Sequence, residues 1–385
     1  MKVNVAVNGL HLYQNYIGRF ARSGLLQRFY YAHRLSTTGS KLGLAPGQGR
    51  NLWLKEYLLN AHLRWLPPKD SSLWHTRYGD IWQSGVLRRW QSADTWVAVI
   101  GELADRIAAR AKGEGSRFVG HAVTSHPEVY AALVNEERER LGLTDLVAPF
   151  RVGSRRLEEI ALADHILVMS GFAKRGFVAS GFPAERVSIL NSGVDLRRFH
   201  PRQPGEDAPP FRVVCVAQVS LRKGHTYLLE AWKRLRLPGA ELLLVGGLSR
   251  EGRRILAPYD GLFQYVPNIP NDRLRDTLAR SALFVLPTIE DAFAQVVAEA
   301  LACGLPVVTT ANAGAADLIR DGLNGYVVPI RDSAALADRI ERIYADEGLR
   351  QAMAGEAVRM AAVAAGWDDY AARLADILRG LDGGG

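Results

Sequence analysis

The stretch LFVLPTIEDAFAQVVAEALACGLPVVTTANAGAADLIRDGLNGYVVP, residues 283–329, decides the fold. Three runs within it, LFVLP (283–287), PVVTT (306–310) and GYVVP (325–329), are apolar without the alternation of a half-buried strand. Each is followed by a helical pattern, at 293–303, 314–321 and 333–346. Short continuous apolar runs alternating with helices predict strands buried on both faces, as in a parallel sheet covered by helices. Upstream the alternation continues with VVCVA (213–217), a helix over 224–236, LLLVG (242–246) and a helix over 271–280. The second half of the chain therefore reads as a doubly wound α/β unit.

The first half opens on VNVAV (3–7) and closes on a helix at 154–163, HILVM (165–169), a further helix and VSIL (187–190). Its middle is less regular. Between the halves lies HPRQPGEDAPP, His200 to Pro210, whose four prolines, glycine and charges break both patterns and predict the domain boundary. Two Rossmann-like domains, 1–200 and 201–365, would face each other across a cleft at the carboxyl ends of their strands.

Composition narrows the class. The 385 residues are 48% hydrophobic and 23% charged, as in a globular protein, and contain no repeat array. No apolar stretch is long enough to span a bilayer, and MKVNVAVNGL is too soon interrupted for a signal peptide, so the chain is expected to be cytoplasmic. Cys215 and Cys303 show no metal-ligand spacing, which predicts neither a disulfide framework nor a zinc site. Charge is uneven: residues 1–200 carry 27 Lys and Arg against 17 Asp and Glu, while 201–385 carry 21 against 23. A basic first half suits an anionic partner such as nucleic acid, a phospholipid surface or a phosphorylated substrate, or is simply a solvated Arg-rich surface.

From Pro287 to Pro329 the chain resembles the retaining GT-B glycosyltransferases of family 4 (group 1). The likeness extends back through Val214–Trp232 and into the first half, where ALADHILVMS and NSGVDLRRF match family signatures. It implies a GT-B fold, transfer of a sugar from a nucleotide-diphosphate sugar to a glycan or glycolipid acceptor of cell-surface polysaccharide synthesis, and retention at the anomeric carbon. Neither cofactor nor metal is expected. The segment 366–385, with WDDYAARLADIL, is similar to the terminal helix that crosses back to the N-terminal domain.

The resemblance also assigns residues. Asp291 and Glu299, with seven residues between them, match the family's acid pair; Asp291 would face the donor sugar's hydroxyls and Glu299 the nucleotide ribose. Carboxylates are acceptor-only and so suit diols. Glu290 is one residue out of register. Lys223 matches the family's lysine, Gln218 stands where an arginine is usual, and Arg222 is the candidate to compensate for it against the diphosphate. Small residues Ala313, Gly314 and Ala315, in a loop before a helix, would let N–H groups approach phosphate oxygens. His126, with Glu137 eleven residues on, is a better match to the family's N-domain histidine than His121. Arg151, Arg155 and Arg156 are further candidates for the diphosphate, and Gly9 stands alone where a Gly-Gly turn is common.

Six of the eight tryptophans (53, 65, 74, 82, 90 and 96) interleave with Lys and Arg. Such a stretch packs a core or settles on an anionic membrane at its inner face, and packing is expected for most of them. Two rivals remain: another activity on this architecture, such as a nucleotide-sugar epimerase or phosphorylase, and a non-catalytic binder of nucleic acid or lipid.

Overall fold

The computed structural model describes residues 1–10, 12–65, 71–101, 103–202, 211–363 and 366–382. Most of the proposed boundary, residues 203–210, lies outside the described residues. Seven strands form the first sheet: β1 (Val3–Val7), β2 (Leu26–Tyr31), β3 (Gly49–Asn51), β4 (Thr95–Ile100), β5 (Arg117–Ala122), β6 (His165–Val168) and β7 (Val187–Ile189), in the order 3-2-1-4-5-6-7. Six form the second: β8 (Arg212–Val216), β9 (Glu241–Val245), β10 (Gln264–Val266), β11 (Leu283–Leu286), β12 (Val307–Thr310) and β13 (Gly325–Val328), in the order 10-9-8-11-12-13. All pairings within the two sheets are parallel. Every residue of β1, β4, β11 and β12 is buried, which is why these runs do not alternate.

Strand order reverses between β1 and β4 in one sheet and between β8 and β11 in the other. Loops leaving these strands diverge at the switch point and open a crevice there. The residues after β8 (217–224) and after β11 (287–294) therefore share one crevice.

Seven helices matter to the site: α1 (Tyr13–Ala21), α2 (Leu54–Trp65), α3 (Ser71–Arg88), α4 (Pro127–Arg140), α5 (Gly171–Ala179), α6 (Gln295–Ala302) and α7 (Trp367–Asp382). The last of these packs on the first domain. Tyr370, Leu374 and Leu378 join Tyr13, Tyr16 and Ile17 in one buried cluster, and burying each large apolar side chain contributes about 1.5–3 kcal/mol. Another cluster crosses between domains, placing Val134, Met169 and Val194 with Phe293 and Ala315.

Two expectations need correction or division. Residues 314–321 form only a 3₁₀ turn, Gly314–Leu318, in which the Ile319 N–H closes on the carbonyl of Ala316, three residues back, and Asn324 Nδ2 donates to the Leu318 carbonyl. Among the tryptophans, Trp82 and Trp96 are fully buried, and Trp90 stacks on Trp96 with centroids 3.9 Å apart. These three pack the core, whereas Trp53 is exposed. The side chains of Trp65 and Trp74 lie outside the described residues.

Candidate active site

The turn after β8 is forced against the end of β11. Gly224 has φ +67°, and a Cβ there would sit 1.9 Å from the Pro287 carbonyl oxygen, so only glycine fits. Ile289 N–H then donates to the Arg222 carbonyl at 2.9 Å, and Arg222 and Lys223 meet Glu290 and Asp291.

Asp291 is held on both oxygens. Oδ2 accepts from Lys223 Nζ, and Oδ1 accepts from the N–H groups of Ala294 (2.9 Å) and Phe293 (3.3 Å). Burial acts to raise its pKa, but the Lys223 and Arg222 charges outweigh it and hold the carboxyl below the usual carboxylate range. The bond to Ala294 fixes that residue at φ +65°, a strained conformation for a side chain with a Cβ.

Glu290, passed over in the sequence as out of register, is buried and joins the two domains. Oε1 accepts from Ser125 Oγ at 2.7 Å, and Oε2 accepts from Arg222 Nη1 at 3.0 Å. No spacing rule marks it; only the meeting of the loops after β5 and β11 reveals it.

Glu299, on α6, is different. Its carboxyl has no hydrogen-bond or ion-pair partner among the described residues, and burial pushes its pKa up to about 7, with the Arg198 charge opposing. Arg198 Nε and Ser192 Oγ are also buried without partners, and Gln295 Nε2 ties α6 to Gly193 O at 2.8 Å beside that serine. Among the described residues, the Glu299 carboxyl, Arg198 Nε and Ser192 Oγ thus remain free to bond polar groups of a ligand.

Other candidates fall out differently. The N–H groups of Ala313, Gly314 and Ala315 all donate to main-chain carbonyls, of Thr310, Asp291 and Phe293 respectively, so in this conformation they do not offer themselves to phosphate. Gly314 instead allows close approach: a Cβ there would lie 2.0 Å from Ala292 O and 2.5 Å from Ser170 Oγ. Gln218 is exposed at the end of β8. His126 caps α4, its Nδ1 facing the Glu128 N–H at 3.4 Å and its ring edge-on to Phe177. Burial lowers its pKa, only partly offset by Glu128, so the ring is neutral at pH 7.

Glu137 has another occupation. It is fully buried, accepting from Tyr227 Oη at 2.7 Å and Arg331 Nε at 2.6 Å, and so joins α4 to the second domain. His121 is equally structural, lying between the hydroxyls of Tyr13 (2.7 Å) and Tyr370 (3.3 Å). Arg155 is bound to Asp80 and Asp105 at 2.7–3.2 Å, which removes it as a diphosphate ligand. Arg156 lies over the Phe150 ring, and among the described residues Arg151 and the half-buried Gly9 make no contact that assigns them a role.

Two parallel, doubly wound sheets, with acids and cations gathered at the switch point of the second, define a GT-B fold, and solved structures agree. Sucrose-phosphate synthase from Thermosynechococcus elongatus superposes with a TM-score of 0.75 at 17% identity, covering 100% of both chains. HepE of Anabaena, in complex with UDP, gives 0.68 at 17%, covering 99% of this chain and 100% of that one. Residues 197–360 match the family described as "Glycosyl transferases group 1". A glycosyltransferase named for colanic acid biosynthesis in Escherichia coli K12 is 28% identical over 172 residues, 42% of each chain. The chain thus spans about two fifths of that relative's length. A D-inositol 3-phosphate glycosyltransferase of Xylanimonas cellulosilytica is 28% identical over 327 residues, 79% of this chain and 70% of that one. Among the described residues, no helix is long and apolar enough to cross a membrane.

Proposed function

We propose that the protein transfers a sugar from a nucleoside-diphosphate sugar to a glycan or glycolipid acceptor, with retention at the anomeric carbon. The unpartnered, half-buried Glu299 carboxyl carries the reading, eight residues after the Lys223-bound Asp291 at the switch point of the second sheet. Glu299 accepts hydrogen bonds from the ribose hydroxyls, which supply the donors it lacks. Arg222 and Lys223 face the diphosphate, whose negative charge grows as the sugar departs; they stabilise it through charge-assisted bonds in a crevice that excludes most water. Asp291 retains free lone pairs for a sugar hydroxyl while Lys223 and two N–H groups keep it ionised. Neutral His126, with Nδ1 turned to a backbone N–H, carries its proton on Nε2 and donates from there to the sugar.

Relatives named as glycosyltransferases and a structural neighbour in complex with UDP support this reading. The test is calorimetric titration of wild type and Glu299→Ala with UDP-, GDP-, ADP- and dTDP-sugars. One nucleotide series should bind, and the variant should lose about 1–3 kcal/mol, the cost of leaving a buried hydrogen-bond partner unsatisfied. Equal affinity of the two proteins for every donor would refute the site. Release of free nucleotide only when acceptor is present would separate transfer from epimerisation.

A further inference from the structure

We propose that α2 and the arginines beside it form a docking surface for an anionic phospholipid membrane. The surface has an apolar and a charged part, and they adjoin. Trp53, just before α2, and Leu54, Tyr57 and Leu58 on its first turns are exposed, Leu54 by 51% and Tyr57 by 66%; Ile81 on α3 is exposed beside them. Positions i, i+1, i+4 and i+5 share one helix face, so these side chains form a continuous apolar strip rather than scattered singles. Between α2 and α3 opens a pocket of about 490 Å³, lined by Leu52, Trp53, Leu54, Ile81, Arg88 and Arg89 among others.

Arg89 also lines a second pocket of about 550 Å³ with Arg28, Arg50, Trp90 and Gln91. None of Arg28, Arg50, Arg88 and Arg89 has a carboxylate partner among the described residues. Arg28 donates to Gln91 Oε1, and Arg89 reaches only the Gly85 carbonyl at 3.5 Å. Acids nearby are already paired with other cations: Glu56 with Lys55, Asp80 with Arg155 and Glu114 with Arg110. Among the described residues, Arg88 and Arg89 thus line the apolar pocket without a carboxylate partner, and Arg28 and Arg50 line the adjoining one.

This pairing of features selects the occupant. A soluble phosphate would engage the arginines and leave the α2 strip in water. A bilayer with anionic headgroups satisfies both, with arginines at headgroup level and Leu54 and Tyr57 in the interface below. The docking surface also abuts the cleft, because Lys55 Nζ on α2 donates to the carbonyl of Asn8, the residue after β1, at 3.0 Å. It stands independently of the transferase reading; combined with that reading, it would admit a membrane-held acceptor beside Asn8.

The test is co-sedimentation of the full chain with vesicles of phosphatidylcholine alone and of phosphatidylcholine with a quarter phosphatidylglycerol. Wild type should bind the anionic vesicles, less so as salt rises. Arg88→Glu with Arg89→Glu should weaken binding by roughly 30-fold or more, each basic residue near the surface being worth about a factor of five. Leu54→Ser with Tyr57→Ser should weaken it while retaining the salt dependence. All these residues are exposed, and an unchanged melting temperature with unchanged nucleotide-sugar titration will show that the variants are folded. Equal sedimentation with both vesicle types would overturn the proposal, as would wild-type binding by the arginine variant. Full displacement by millimolar inorganic phosphate would reassign the site to a soluble anion and overturn it too.

Discussion

Ser125 Oγ donates a 2.7 Å hydrogen bond to Glu290 Oε1, joining the loop after β5 to the loop after β11. Both residues are buried, and Glu290 also receives Arg222. The bond is therefore a domain contact and a support for a cation of the site. Glu290→Gln should destabilise the protein by about 1–3 kcal/mol, since it removes the carboxylate charge opposite Arg222 and leaves that guanidinium only the Glu290 carbonyl, while Ser125→Ala should cost about 1 kcal/mol. Urea denaturation measures both. An Arg222 deletion on top of Glu290→Gln should add less than it does alone, and strict additivity would show that the two act independently.

Stability should fall as pH rises toward neutrality, and Glu299 should account for part of the slope. Its pKa is raised to about 7 in the folded state, so its favourable contribution is complete below the unfolded value near 4.5 and is lost as pH climbs through about 7. Glu159, also pushed up to about 7 by burial, acts in the same direction. In Glu299→Gln the decline between pH 4.5 and 7.5 should shrink, by on the order of 2 kcal/mol. Asp291 works oppositely: its lowered pKa contributes stability above about 3.8 that disappears only in acid. Melting temperature against pH for wild type and Glu299→Gln will separate the two windows.

Gly314→Ala should loosen the contact between domains. The added methyl would fall 2.0 Å from Ala292 O and 2.5 Å from Ser170 Oγ, two atoms that are themselves hydrogen-bonded at 2.6 Å. Backbone must shift, at a cost of about 1–3 kcal/mol. Because Gly314 N–H also bonds Asp291 O, donor binding should weaken along with the denaturation midpoint. A variant as stable as wild type would mean that the loop yields freely.

Leu374→Ala, in α7, should cost about 2–5 kcal/mol, because this side chain is buried against α1 and the first sheet. Asp368→Asn is the contrast. Its pairs with Arg19 and Arg22 are exposed, so its removal should change stability by less than about 0.5 kcal/mol. Hydrogen exchange at Tyr370 should quicken in the first variant and not in the second.

How far the sequence carried depends on the range of the interaction involved. Runs such as VVCVA and LFVLP were readable as doubly buried strands because burial on both faces removes alternation, a property local to a few residues; TWVAVI (β4), in the less regular middle of the first half, was not picked out. Asp291 and Glu299 were readable as a pair through the resemblance of their segment to a family that carries such an acid pair. The role of Glu137 was not: its partners Tyr227 and Arg331 lie 90 and 194 residues away. Arg155 was open to two readings until Asp80 and Asp105 came into contact with it.

By itself, then, the amino-acid order determined the α/β alternation of the second half, the opening and closing strands of the first, and the residue types at the crevice, because hydrophobic period and chain stiffness act over short range; the strands and helices between 8 and 153 were not legible. Only the tertiary structure decided which polar groups were satisfied. It engaged the N–H groups of Ala313, Gly314 and Ala315, gave Glu290 to Ser125 and Arg222, and left Glu299 and Arg198 Nε unpaired. Hydrogen bonds and charge pairs are fixed by which loops meet in space, and that depends on sheet order and domain packing rather than on distance along the chain.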